Sequence, residues 1–533
     1  MDAHNLLKIQ QLLSFLSTPP LSPGPGQPHE QEHLDVVINK LENILALLKR
    51  RRNTLSPITR LSSDILLHIF RYLQPHTPKF GPIGRDGTAP FAIFGTRPAN
   101  AAPELHEFQW MREITHVCAH WRDLSMNSPT LWTTIRFHHP KWTVEVLRRS
   151  LPAPLSIIFD REDGGDESGD TVLALQGTLL NHLGRARHLD IAVPYLWFDA
   201  FISQNLPLIT DSLQTCLFHG LPKIGRAVPN RELPVTFLQN CATSLRYLAL
   251  SSCSLSSQTP NDTVHLENLS HLVLQNSVLH CVGILDRISF HPTCQIMIDC
   301  FHHFDELQPL HPIIRRFWSA KAEIGKPLKE INFTPALRGD VVDVMARDYF
   351  QGPDDPSERE SERWYYCLTL RVRIASSDVL QSLWKTFPML DEVITFSVDI
   401  FLDPDWQSLS AFCPNIQHLS LADSDLDGLF DVLGDQVDEV QPDSMVVDSE
   451  TPSTDDLRFP NLKTITFGQS VFTDQLSLRF VACLKRRHQM GRPVHRVFLY
   501  SAQGVHWTLV DEANKYTLEE ADCDCIEESD GEE

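Results

Sequence analysis

The chain has 533 residues, 42% of them apolar and 21% charged, which exceeds one ordinary core and predicts several domains. Its net charge of −22 is concentrated in residues 431–456 and 519–533, which carry nine acidic residues each and no Lys or Arg; the remainder stands at −4. Sequence-independent nucleic-acid binding needs a basic surface, and none is evident in so nearly neutral a body; no apolar run is long enough to span a membrane.

Residues 1–18 contain "NLLKIQQLLSFL" and predict a short helix, and residues 19–30, rich in Pro and Gly, predict a linker. Residues 31–52 place Leu34, Ile38, Leu41, Leu45 and Leu48 at spacings of three or four, an amphipathic helix too short to establish a coiled coil by itself. Lys49, Arg50, Arg51 and Arg52 close it, either as a nuclear import signal or as cations favoured at a helix C-terminus. "HEQEH" at 29–33 fits H-E-x-x-H, in which His29 and His33 would bind zinc and Glu30 would act as base of a metallopeptidase. Its place at the edge of a linker, and the lack of a downstream third ligand, argue instead for a helix start favoured by Glu30 and Glu32.

In "LSSDILLHIFRYL", residues 61–73, Ser62 is placed to cap a helix carrying Ile65, Leu66, Ile69, Phe70 and Leu73. Residues 75–108 read as an inserted loop. In "ITHVCAHWRDLSMNSPTLWTTI", residues 114–135, Ile114, Val117, Cys118, Trp121 and Leu124 fall on one helical face, with Cys118 as a small hydrophobe and His116 and His120 turned to solvent. Ser128 and Pro129 then open another short helix with Leu131 and Trp132.

Residues 150–512 carry a degenerate repeat. "LRYLALSSC" at 245–253 and "LSHLVLQNS" at 269–277 fit L-x-x-L-x-L, and "LKEINF" (328–333), "IQHLSL" (416–421), "LKTITF" (462–467) and "VHRVFL" (494–499) are looser copies. "ARHLDI" (186–191) and "LQTCLF" (213–218) are weaker ones. Each copy predicts a short parallel strand with its leucines inward. Residues 431–456 predict a disordered acidic insertion, and residues 513–533 an acidic tail, disordered over 519–533. His291, Cys294, Cys300, His302 and His303 have ligand chemistry without zinc-motif spacing, and "CQIMIDCF" alternates as a strand, so core cysteines are expected there. The twelve scattered cysteines, with no CxxC pair and no leader, predict a reduced protein of the cytoplasm and/or nucleus.

"SPITRLSSDILLHIF" (56–70) and "VCAHWRDLSMNSPTLWTTI" (117–135), followed by leucine-rich sequence, resemble the F-box-like proteins expanded in mushroom-forming fungi. Ser62-Ser63-Asp64 departs from that family's Pro and Glu but keeps the cap chemistry. The resemblance implies an α/β protein: N-terminal helices and a small all-α F-box at 56–137, then a leucine-rich-repeat-like α/β solenoid. It further implies a non-catalytic substrate receptor of a Skp-cullin-F-box ubiquitin ligase, without cofactor or metal. The F-box would bind the Skp-type adaptor, and through it the cullin, using Leu61, Ile65, Ile69, Val117, Trp121, Leu131 and Trp132. The repeat region would bind an unidentified protein target. Residues between the inward leucines supply that face: Tyr247, His271, Gln275, Glu330, His418, Arg496, Phe498 and Tyr500. Arg496, Phe498 and Tyr500 alternate on one strand, either as binding anchors or as packing for the acidic tail. A leucine-rich scaffold without ligase association remains the alternative.

Overall fold

The computed structural model describes residues 28–74, 104–136, 140–160, 182–193, 211–220, 231–256, 263–300, 307–335, 341–348, 368–373, 390–399, 405–422, 426–433, 458–505 and 507–524, with single positions 7, 10, 11, 14 and 387. Most of the expected N-terminal helix and linker, residues 75–103 of the expected loop, and residues 434–457 and 525–533 of the acidic segments lie outside the described residues. The chain forms two compact units. One comprises Met1–Lys79, Arg97–Thr133 and Glu145–Ala153; the other comprises Phe80–Thr96, Thr134–Val144 and Pro154–Glu533.

The first unit is helical. It contains α1 (Pro28–Thr54), α2 (Ser63–Leu73), α3 (Glu104–Thr115), α4 (Ala119–Met126) and the C-terminal half of α5 (Pro140–Arg149). Ser62 caps α2 as expected, its hydroxyl accepting from the Ile65 amide at 3.4 Å. Two sequence expectations need correction. Residues 104–108 belong to α3 and not to a loop. Residues 114–124 are not one helix, because the chain breaks at 116–118 and Cys118, in extended conformation, caps α4 by accepting from the Trp121 amide. Arg122 donates to the Thr115 carbonyl at 2.9 Å, so the end of α3 is satisfied from the next helix.

The second unit is mixed α/β. Its strands are β1 (Thr134–Arg136), β2 (Leu155–Asp160), β3 (Ala186–Val193), β4 (Thr215–Gly220), β5 (Arg231–Pro234), β6 (Tyr247–Ser251), β7 (Cys253–Ser256), β8 (Val264–Leu266), β9 (His271–Gln275) and β10 (Ile288–Phe290). They continue with β11 (Gln295–Asp299), β12 (Glu330–Pro335), β13 (Val341–Arg347), β14 (Leu368–Arg373), β15 (Thr395–Asp399), β16 (His418–Ala422), β17 (Thr464–Gly468), β18 (Arg496–Tyr500) and β19 (Asp522–Asp524). Helices α6 (Val235–Cys241), α7 (Val278–Leu285), α8 (His311–Glu323), α9 (Trp406–Phe412), α10 (Leu426–Leu433), α11 (Asp474–Gln489) and α12 (Trp507–Asn514) fall between them.

Fifteen strands make one sheet in the order β1-β2-β3-β4-β6-β9-β11-β14-β13-β12-β15-β16-β17-β18-β19, parallel throughout except at β13. Parallel neighbours need crossovers, and α9, α11 and α12 supply them late in the chain. The short pairs β5-β7 and β8-β10 form separate two-stranded ladders. The register explains why the leucines recur. Ile157, Leu189, Cys216, Leu248, Leu272 and Ile296 pair laterally from β2 to β11, and Ile331, Phe396, Leu419, Ile465 and Val497 do so from β12 to β18. All eleven are buried, so this row is one edge of a continuous core. On the same face, Phe467 of β17 packs edge-on against Phe480 of α11, ring centroids 5.2 Å apart, and Phe430 of α10 lies 5.6 Å from Phe480.

The acidic insertion begins later than its charge suggests. Asp431, Val432 and Leu433 complete α10, with Leu429, Phe430 and Leu433 buried, and Asp427 and Asp431 both pair with Arg479 of α11. The acidic tail also enters the fold, since Asp522–Asp524 is the edge strand β19. The expected disorder therefore does not apply to residues 431–433 or 519–524. Replacing residues 434–456 by a short Gly-Ser linker is expected to leave the thermal midpoint unchanged, and Asp431→Ala to cost under ~1 kcal/mol, since the Asp431 carboxylate is exposed and Asp427 still pairs with the largely buried Arg479. A large drop in the calorimetric midpoint on deletion would show that the segment packs on the body.

Candidate interaction surfaces

In the helical unit, α2 divides its apolar residues between two directions. Leu66 and Phe70 are fully buried, whereas Ile65 is 49% exposed, Ile69 36%, Tyr72 64% and Leu73 45%. The exposed set lies at i, i+4, i+7 and i+8, one outward strip. Val117, at the break between α3 and α4, is also exposed, and Leu61 is half-buried. Trp121 is half-buried, its ring tilted against Phe70 with centroids 4.9 Å apart.

Leu131 and Trp132 belong to the interior, which corrects their expected place on a contact surface. Both are 2% exposed. The Trp132 indole N–H donates to the Ser125 carbonyl at 2.9 Å, and Arg149 lies over its ring at 4.9 Å. Gln74, at the end of α2, donates to the Leu131 carbonyl at 2.7 Å. Glu145 receives Arg148 at 2.7 Å and Arg149 at 2.6 Å, and its hydrogen bond to Arg148 is the main reason its carboxyl pKa drops to about 2.

The sheet face opposite the leucine core changes character along its length. From β4 to β11 it is apolar: Leu217, Tyr247, Ala249, Val273 and Met297 form one buried cluster. Tyr247 is thus not on a solvated face, contrary to expectation. His271 stacks on Tyr247 with centroids 5.7 Å apart, and Gln275 joins Ser251 at 2.8 Å to Asp299 at 3.3 Å. From β12 to β18 the same face is polar, with Asn332, Ser397, Ser420 and Thr466 in one lateral row and Glu330, Thr395, His418, Thr464 and Arg496 in the next. At its far end Arg496 lies 4.7 Å over the Phe498 ring and pairs with Asp522 at 3.5 Å and Glu519 at 3.8 Å. Phe498 stacks on Tyr500, 5.7 Å apart, and is itself buried, while Tyr500 is exposed. The packing alternative for Arg496 against the acidic tail is therefore realised.

Burial holds the pKa of His182, His188 and His271 below the ordinary histidine value of 6.5, aided at His182 and His188 by neighbouring arginines. A histidine depressed on folding binds its proton more readily when unfolded. Its stabilisation is full above the unfolded value and lost as pH falls through the folded one. The thermal midpoint is expected to fall on acidification below pH 6.5, and His271→Gln to flatten part of that fall. Identical pH slopes for the two proteins would remove His271 from the account.

Among the described residues, no group of three or more His, Cys, Asp or Glu side chains is arranged to hold a metal. His33 of the H-E-x-x-H segment is exposed near the start of α1. Cys294 and Cys300 are buried, as expected for core cysteines, while His291 is exposed and bonds Thr293; His302 and His303 lie outside the described residues. Burial raises the thiol pKa of Cys241 and Cys413 to about 12, which suppresses the reactive thiolate. Nine described cysteines are free. Among the described residues, no helix is long and apolar enough to cross a membrane.

Comparison with protein-family models and with curated proteins finds no match to this chain.

Proposed function

We propose that the protein is a non-catalytic substrate receptor of a Skp-cullin-F-box ubiquitin ligase. In this reading the first unit is the F-box and the large sheet with its crossover helices is a degenerate leucine-rich-repeat solenoid. The observation that carries the reading is the outward strip Ile65, Ile69, Tyr72 and Leu73 on a helix whose other face is closed by Leu66 and Phe70. An apolar strip left open on a small helical unit calls for a partner groove, and the motifs at 56–70 and 117–135 suggest the Skp-type adaptor as that partner. Leu61, Ile65, Ile69, Val117 and Trp121 remain adaptor contacts, while Leu131 and Trp132 act by holding the unit together. The target would meet the polar half of the opposite sheet face, at Glu330, His418 and Tyr500.

The test is co-purification of the adaptor with full-length chain. Ile65→Glu combined with Ile69→Glu alters only exposed positions, so the circular dichroism spectrum should be unchanged while adaptor recovery falls to background. Undiminished recovery would sink the ligase reading and favour the scaffold, which uses the same sheet face without ligase association.

A further inference from the structure

Helix α1 runs for 27 residues, and its apolar stripe is not used up inside the molecule. Val37 is buried and Ile44 half-buried, so the side of the helix that carries them faces the protein. The neighbouring stripe is open: Leu34 is 43% exposed, Ile38 51%, Leu45 51% and Leu48 41%, with Leu41 half-buried between them. These five fall in heptad register, with Ile38 and Leu45 at a and Leu34, Leu41 and Leu48 at d. The flank away from Val37 carries Asp35, Glu42 and Lys49, all exposed and all at e.

Charge is distributed unequally along the helix. Glu30, Glu32 and Asp35 lie near its start, and Lys49, Arg50, Arg51 and Arg52 near its end. Two copies side by side in the same direction would set acid against acid and base against base. Two copies in opposite directions set the acidic end of each beside the basic end of the other. Ile38 then packs over Leu48 of the second copy, Leu41 over its Leu45, and Asp35 lies beside its Lys49.

We infer that α1 is a self-association element: two copies of this chain pair through residues 34–48 as an antiparallel two-helix coiled coil. The pairing uses no residue assigned above to adaptor or target. It would present two such units in one particle, whatever those units bind.

Sedimentation equilibrium of the full chain over a wide concentration range tests this. The expected mass is twice the 60.7 kDa of the chain. Ile38→Asp with Leu45→Asp should yield monomer with an unchanged melting profile for the body. Lys49→Glu places acid beside acid at both ends of the pair and should raise the dissociation constant roughly tenfold or more. Adding Asp35→Lys to that variant should restore the dimer. A wild-type monomer at every concentration overturns the proposal, and so does a dimer indifferent to the double aspartate variant. A dimer indifferent to Lys49→Glu overturns the antiparallel arrangement.

Discussion

Trp132→Ala is expected to loosen the helical unit by about 3–5 kcal/mol, the range for deleting a buried aromatic side chain. Three contributions point the same way. The ring is 2% exposed, so its removal leaves a cavity that the short 3-10 turn at Pro129–Leu131 is poorly placed to fill. The Ser125 carbonyl loses its indole donor at 2.9 Å, and a buried acceptor left unmatched costs about 1–3 kcal/mol. Arg149 loses the ring beneath it, although Glu145 and the Met126 carbonyl still hold its guanidinium. Trp132→Phe separates these contributions. It keeps most of the packing and gives up the N–H, so its cost should be about 1–2 kcal/mol. Amide exchange over residues 104–133 reads the local effect without requiring the whole chain to unfold in one step. Equal protection in wild type and Trp132→Ala would mean that this turn does not hold α3 and α4.

The strands were the most legible part of the sequence, because an inward leucine has to match its neighbour in the next strand. Leu248 and Leu250 of β6 stand beside Leu272 and Leu274 of β9 in exact lateral register. Even the weak copies at 186–191 and 213–218 fall in strands, β3 and β4, since cysteine and phenylalanine fill the same inward places as leucine. Other features left no such signature. The antiparallel β13 has alternating apolar residues like its neighbours, and nothing in its own sequence records that β12 and β14 lie on either side of it in reversed order. Tyr247 and Val273 occupy positions that a solvated sheet would expose, yet burial on that face depends on tertiary packing that strand periodicity does not encode. The break at 116–118 contains neither Gly nor Pro; a cysteine cap is too rare a device to be read from spacing. At 431–433 charge misled, because the i, i+3, i+4, i+7 pattern of Leu426, Leu429, Phe430 and Leu433 outweighs one aspartate in the last turn of α10. For the candidate contacts, the sequence marked apolar positions on the right elements. It did not separate Ile65 and Ile69, which face outward, from Leu131 and Trp132, which face inward, because both kinds are apolar and only packing distinguishes them.

Asp348→Ala is expected to destabilise the second unit by about 3–5 kcal/mol. Lys321, on α8, is 2% exposed at its side chain, and its ammonium donates to the Asp348 carboxylate at 2.9 Å, just beyond the end of β13. The rings of Phe317 and Trp318 lie 5.4 Å and 5.8 Å from the same nitrogen. Removing the carboxylate leaves a cation in an aromatic pocket with no counter-charge in that pair, and cation–π attraction of about 0.5–2 kcal/mol does not offset its lost hydration. The reverse deletion is milder. Asp348 is 14% exposed, so after Lys321→Met its carboxylate regains water while the methionine fills the apolar pocket. Combining the two substitutions should recover most of the loss, to within ~1 kcal/mol of wild type, because the uncompensated charge is then gone. The measurement is a double-mutant cycle by urea denaturation, supported by amide exchange across residues 311–323 and 341–348. Were Asp348→Ala no more costly than Lys321→Met, the burial of the lysine would not be what makes this pair matter.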